Sequence, residues 1–146
     1  MRWTVWRLRP GLAFLAAVLI TGCTMSGDAY VKEVQLQQLD KDARLYVERI
    51  RDSDGLFLYS PAGERQYLIV NYASVANGEK APYLEKLTAE VREETLKIEL
   101  EERSVSDVAD KRLGDMRIYR LIGSQDYSAI RIYKNGTETS LNSAGT

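Results

Sequence analysis

The covalent and acid–base chemistry open to this sequence comes from a single thiol, Cys23, and a large set of carboxylates and amines; there is no histidine. A Ser-His-Asp or Cys-His nucleophile therefore has no base. A zinc site built from His and Cys has no ligand set, and one cysteine forms no internal disulfide. Paired carboxylates working as acid and base remain chemically available, as does a Ser–Lys dyad, although no signature marks one. Glu99 with Glu101, and Glu90 with Glu93 and Glu94, are the acidic groupings. The first pair reads more simply as one wet face of a strand, and the second as the surface around a turn. No glycine-rich phosphate loop occurs. Asp52-Ser53-Asp54-Gly55 resembles part of a calcium loop, but with Gly55 in the sixth position the first is Ile50 and the twelfth Pro61. Neither supplies the side-chain carboxylate a calcium loop needs there, so a helix stop followed by a turn is the better reading. No catalytic residue, metal ligand or cofactor is assigned, and the expectation is that the chain is not an enzyme.

Cys23 has a distinctive setting. Arg2, Arg7 and Arg9 precede it with no acid among residues 1–22, and an apolar run extends from Gly11 to Ile20. A basic start, an apolar stretch and small residues before a cut are the parts of a secretory signal. The run is about half the roughly 20 residues a spanning helix needs. Its end, Ile20-Thr21-Gly22-Cys23, is similar to the lipobox of bacterial lipoproteins: an aliphatic residue, two small residues and a cysteine. The resemblance implies that the Cys23 sulfur takes a diacylglyceryl group as a thiolate nucleophile. It further implies that residues 1–22 are then removed and that acyl chains, palmitate among them, hold the mature chain on the extracytoplasmic face of a membrane. Two acyl chains suffice for stable anchoring. An Asp directly after the lipidated cysteine often retains members of that family in the inner membrane. Thr24 stands there, so both the cell membrane and the outer membrane are open destinations.

Residues 23–29 form a short tether; six residues, Thr24 to Ala29, reach roughly 20 Å when extended. The mature chain loses three of 20 bases and none of 21 acids, leaving 17 against 21, a formal −4. That balance argues against nucleic acid as a partner and gives no reason to expect electrostatic attraction to anionic lipid headgroups. Both tryptophans, Trp3 and Trp6, fall in the removable segment, whereas all nine tyrosines lie beyond it. Tyr59, Tyr67, Tyr72 and Tyr83 crowd the middle, and Tyr119, Tyr127 and Tyr133 the end. Tyrosine suits recognition surfaces, but it is also an ordinary strand former with its ring inside and its hydroxyl at the rim. Tyr67 and Tyr72 have opposite parity and do not share a stripe.

The elements expected to position these groups are mostly strands. Alternation at Tyr30–Leu36 predicts a short strand. Residues 40–51 fit helix or strand; Leu39, Ala43, Val47 and Ile50 recurring at helical spacing, with Asp40 placed to cap the N-terminus and Asp54-Gly55 to stop the helix, favour helix. Gly55–Tyr59 and Tyr67–Tyr72 form a hairpin around Ser60–Gly63. The second strand, apolar on both faces, is expected to be central. Asn77-Gly78 is a turn. Residues 84–91 fit helix or strand; Arg92–Glu94 as a hairpin turn favours strand, because Leu96, Ile98 and Leu100 alternate cleanly with Lys97, Glu99 and Glu101 just beyond it. Residues 104–115 read as loop, Met116–Ile122 and Ala129–Tyr133 as strands. Asn135-Gly136 is a hairpin turn before a short last strand to Leu141; this explains Asn135-Gly136-Thr137 better than a glycosylation sequon does. The fold class is mainly β, about seven mostly antiparallel strands in a sandwich or open barrel with one N-terminal helix. One domain is expected over residues 30–141, followed by a polar, frayed tail at 142–146.

The order Tyr67–Asn71, a turn at Gly78, Tyr83 and then Leu96–Glu102 with a later strand pair resembles the C-terminal domain of PrcB-type accessory proteins over about half of the mature chain. Those are small extracytoplasmic β-domains associated with a protease. Paired glycines precede the aromatic in that family, whereas Ala81-Pro82 stands here. The functional expectation is a lipid-anchored binding or accessory module for an envelope protein or polymer. The alternatives are a small envelope hydrolase using carboxylates alone, or a structural or assembly factor of the envelope.

Overall fold

The computed structural model of the chain describes residues 30–62, 65–73, 80–106, 113, 116–123 and 126–142. The expected signal segment and tether, Cys23, the expected Asn77-Gly78 turn, most of residues 104–115 and residues 143–146 lie outside them. The elements are β1 (Val31–Val34), a 3-10 turn (Leu36–Gln38), α1 (Lys41–Arg49), β2 (Gly55–Tyr59), β3 (Tyr67–Asn71), β4 (Ala81–Arg92), β5 (Thr95–Val105), β6 (Met116–Leu121), β7 (Ala129–Lys134) and β8 (Thr137–Thr139). The eight strands make two four-stranded sheets, ordered β1-β6-β3-β2 and β4-β5-β7-β8. The fold is thus mainly β with one helix and no closed barrel.

The helix begins where its sequence provides a cap: Asp40 Oδ1 accepts the Ala43 N–H at 2.8 Å, which satisfies one of the first-turn donors. Asp42 in the first turn and Arg49 in the last complement the helix dipole. Leu39, Ala43, Val47 and Ile50 are buried against Phe57, Tyr67, Ile69 and Ile118 of the first sheet. The opposite face of that sheet places Val31, Leu56, Leu68, Val70, Tyr119 and Leu121 against Leu84, Ala89, Leu96, Ile98, Leu100 and Ile132 of the second. The molecule is therefore three layers: helix, sheet, sheet. β3 is internal to the middle layer and all five of its residues are buried, as its two-sided apolar sequence requires.

β4 and β5 form the long hairpin that the alternation at Leu96–Leu100 implies, with a register shift between Leu84 and Lys86. Its turn is made by Glu93 and Glu94, both at positive φ (48° and 60°). β5 continues to Val105, two residues into the stretch whose polarity suggested a loop. The Asn135-Gly136 hairpin is formed, with φ of 50° and 80°. The one parallel pairing joins β5 to β7. It follows from β6 leaving to join the other sheet between them, so no hairpin connects β5 to β7.

Asn142 departs from expectation. Its polarity placed it in a frayed tail, but its N–H donates to the Leu56 carbonyl at 2.7 Å and its Oδ1 accepts the Leu56 N–H at 2.9 Å. An amide side chain is the right shape to continue a strand edge, which overrides the tendency of a polar terminus to fray.

Candidate functional site

A groove of about 690 Å³ lies at the end of the first sheet where β1 and β3 finish and β6 begins. β1 brings Glu33 and Val34 there through their pairing with Tyr119 and Ile118. The chain then turns through Gln35, whose N–H donates to Gln38 Oε1 at 2.8 Å, and Leu36 and Gln37 form one wall. Val47 and Arg51 come from α1 and the turn after it, and Met116–Ile118 from the start of β6.

Asn71 holds the floor. It is buried, at 1% exposure, and its Nδ2 donates to the carbonyls of Ile50, Arg51 and Ser53 at 3.0, 2.9 and 2.8 Å. Those carbonyls follow the C-terminal end of α1, where the helix leaves acceptors open; the Ile50 carbonyl also accepts the Ser53 N–H at 3.0 Å. The Asp52–Gly55 segment is the turn leaving the helix, anchored by this amide. The sequence marks Asn71 only as one residue of the expected Tyr67–Tyr72 strand, whereas β3 ends at Asn71.

Arg117 lies at the rim. Its guanidinium grips Glu33 through two nitrogens, at 2.9 and 2.6 Å, and Nη1 donates to the Leu84 carbonyl of the other sheet at 3.2 Å. It lies 5.6 Å from the Tyr119 ring centroid. The bond to Glu33 raises its already high pKa, so the charge is permanent. Arg51 pairs with Glu48 at 3.0 Å. The groove thus offers amides, a fixed ion pair and the apolar side chains of Val34, Leu36, Val47, Met116 and Ile118. Among the described residues its lining holds no serine, threonine or cysteine, and Glu33, the one carboxylate among them, is held by Arg117.

A smaller recess of about 230 Å³ lies between the sheets beside Asp54, Gly55, Tyr72, Pro82, Glu102 and Lys134. The Tyr72 hydroxyl donates to Glu102 Oε2 at 2.9 Å, and Lys134 Nζ meets the same oxygen at 2.9 Å. Burial, then the bond to Glu102, raises the Tyr72 pKa far above its ordinary value. That hydroxyl stays protonated and works as a strut between the sheets.

The acidic groupings of the sequence do not converge on either recess. Glu99 accepts the Gly136 N–H at 2.8 Å and lies 3.6 Å from Lys97. Glu90 pairs with Arg92 at 3.0 Å; Glu93 and Glu94 are the hairpin turn. Among the described residues no group of His, Cys, Asp or Glu is arranged to hold a metal, and no helix is long and apolar enough to cross a membrane. The tyrosines divide as their parity implies: Tyr67 is buried on the helix side, and Tyr72 packs on the core between the sheets. Tyr46, Tyr59 and Tyr67 form a chain of rings with centroid separations of 5.1 and 6.4 Å. No family model, curated protein or solved structure matches this chain.

Proposed function

We propose that this chain is a lipid-anchored, extracytoplasmic binding module of a bacterial envelope. Cys23 carries the acyl chains, and an extended segment of an envelope protein or polymer is held in the groove between β1, the end of α1 and β6. The observation that carries the reading is the position of the chain's single cysteine directly after Ile20-Thr21-Gly22, at the end of a basic-then-apolar N-terminus. The groove's chemistry supports a binding role: amide side chains and a locked ion pair can satisfy a partner's backbone while Leu36 and Met116 cover its apolar groups. The short tether supports a partner close to the membrane.

Mass spectrometry of protein purified from bacterial membranes tests the anchor. The expected mature species begins at Cys23 with diacylglyceryl mass on it, and Cys23→Ala leaves an uncut or released product. A Cys23→Ala protein of normal mature size in the membrane fraction would overturn the proposal. A photo-crosslinking residue in place of Leu36 or Met116 tests the groove in intact cells. One dominant neighbour, absent when the probe replaces exposed Arg131, is expected; the same scatter of neighbours from both positions would count against a dedicated partner.

A further inference from the structure

One row of side chains crosses the first sheet at the end opposite the groove. The registers place Tyr59 of β2 opposite Tyr67 of β3, Tyr67 opposite Arg120 of β6, and Arg120 opposite Lys32 of β1. All four lie on the helix-bearing face. Tyr46 of α1 extends the row, its ring 5.1 Å from that of Tyr59. The row lies at the end where the chain enters the domain: the Tyr30 carbonyl accepts the Ile122 N–H at 2.8 Å just before β1. Tyr127 reaches the same end, its hydroxyl 3.4 Å from Gln66 Oε1.

Two cations adjoin at this end, whereas other described cations without an acidic partner in ion-pair distance, such as Lys41, Lys86 and Arg131, are not cross-strand neighbours of one another. Lys32 and Arg120 are direct cross-strand neighbours, and like charges in that relation oppose each other. Among the described residues neither has an acidic partner within ion-pair distance, nor does exposed Arg65 just before β3. Most other cations of the second sheet and of the groove rim, including Arg92, Lys97, Arg103, Arg117 and Lys134, are paired. Among the described residues the acids at this end are Asp40, held by the Ala43 N–H and the Tyr67 hydroxyl, and exposed Asp126.

We infer that this end of the sheet rests on the headgroups of an anionic phospholipid bilayer, the phosphates lying between Lys32 and Arg120 with the exposed rims of Tyr46 and Tyr59 at the interface. The inference rests on the anchoring proposed above: nine residues separate Cys23 from Lys32, a span of at most about 30 Å, so the bilayer is within reach of this end. Tyrosine favours the layer where one side of a ring is wet and the other apolar, and unpaired cations favour anionic headgroups. The net −4 of the mature chain does not oppose this, because charges beyond a screening length count little. Docked so, the domain holds its groove about 13 Å further from the bilayer, four strand residues along β3.

The mature sequence lacks tryptophan, so one introduced indole reports depth. Lipoprotein carrying Tyr59→Trp, and separately Met116→Trp at the groove, is reconstituted in phosphatidylglycerol–phosphatidylcholine vesicles containing lipid brominated high in the acyl chains. Quenching of the Tyr59→Trp protein at least about twofold above that of Met116→Trp is expected. It is expected to be lost when Lys32→Gln and Arg120→Gln are added, and in purely phosphatidylcholine vesicles. Circular dichroism melting of the same variants reports that they fold. Equal quenching at both positions, or quenching indifferent to the two cations, would overturn the headgroup contact. Mass spectrometry of each sample separates the two ideas: an acylated Cys23 with no quenching overturns only the contact, whereas a bare Cys23 overturns the anchor and the contact together.

Discussion

Asn142 completes the outer edge of β2 at Leu56, giving and receiving one hydrogen bond with the same residue. Tyr46 caps the next outward carbonyl on that edge, Leu58, at 3.4 Å. An edge strand with open N–H and C=O groups invites pairing with another chain, and here it is closed from within. Asn142→Ala should lower stability by about 1 kcal/mol, the worth of one hydrogen bond with a donor left open. Gly55→Ala should be worse, about 2 kcal/mol or more, because Gly55 has φ of +133° and a Cβ there would collide with the Asn142 side chain. Urea unfolding of the two variants measures both losses; a harmless Gly55→Ala would remove the clash argument.

Asn71→Ala should cost about 2–3 kcal/mol, since the part-buried Arg51 and Ser53 carbonyls lose their shared donor and the Ile50 carbonyl keeps only the Ser53 N–H. The loss should be local as well as global. Hydrogen exchange is expected to quicken at the C-terminal turn of α1 before it does in β5; uniform change along the chain would contradict this.

The Glu93-Glu94 turn stores strain, both residues sitting in the left-handed region without being glycine. Glu93→Asn with Glu94→Gly should raise stability by about 1 kcal/mol. The Glu94 carbonyl, which accepts the Ser128 N–H at 2.8 Å, is kept by that change. The thermal midpoint should rise by several degrees, and an unchanged or lower midpoint would show that the side chains themselves matter.

Alkaline pH should unfold the protein in a defined window. Burial pushes the Tyr119 hydroxyl up to about 12 from 10, and burial with the Glu102 bond takes Tyr72 higher still. The unfolded chain gives up these protons near pH 10 while the folded chain keeps them. Stability is therefore intact below pH 10 and falls as pH rises from there; the Tyr119 share of the fall is complete near pH 12. Tyr72→Phe and Tyr119→Phe should each flatten the slope of melting temperature against pH in that range, read beside tyrosinate absorbance.

Local features were legible in the sequence because their causes are local. The Asp40 cap, the alternation around Ile98 and the Asn135-Gly136 turn each involve residues a few positions apart. The groove was not legible, because its parts meet over long separations. Arg117 and Glu33 are 84 residues apart, and Asn71 acts on carbonyls about 20 residues earlier. Nothing near Asn71 distinguishes it from a strand-ending asparagine, and nothing near β7 announces a parallel neighbour. The expectation for Cys23 is of another kind: it rests on a contiguous motif, Ile20-Thr21-Gly22-Cys23, that lies outside the described residues.

The pairing of β1 with β6 sets Val31 beside Leu121, and β6 lies between β5 and β7 in sequence although those two adjoin in the other sheet. Neither layer is made from one uninterrupted stretch of chain. A ribosome or a translocation channel releasing the polypeptide from its front end would leave β1 without its neighbour until nearly the whole chain had emerged. Such interleaving slows assembly and makes it cooperative, so that neither layer closes before the other is nearly complete.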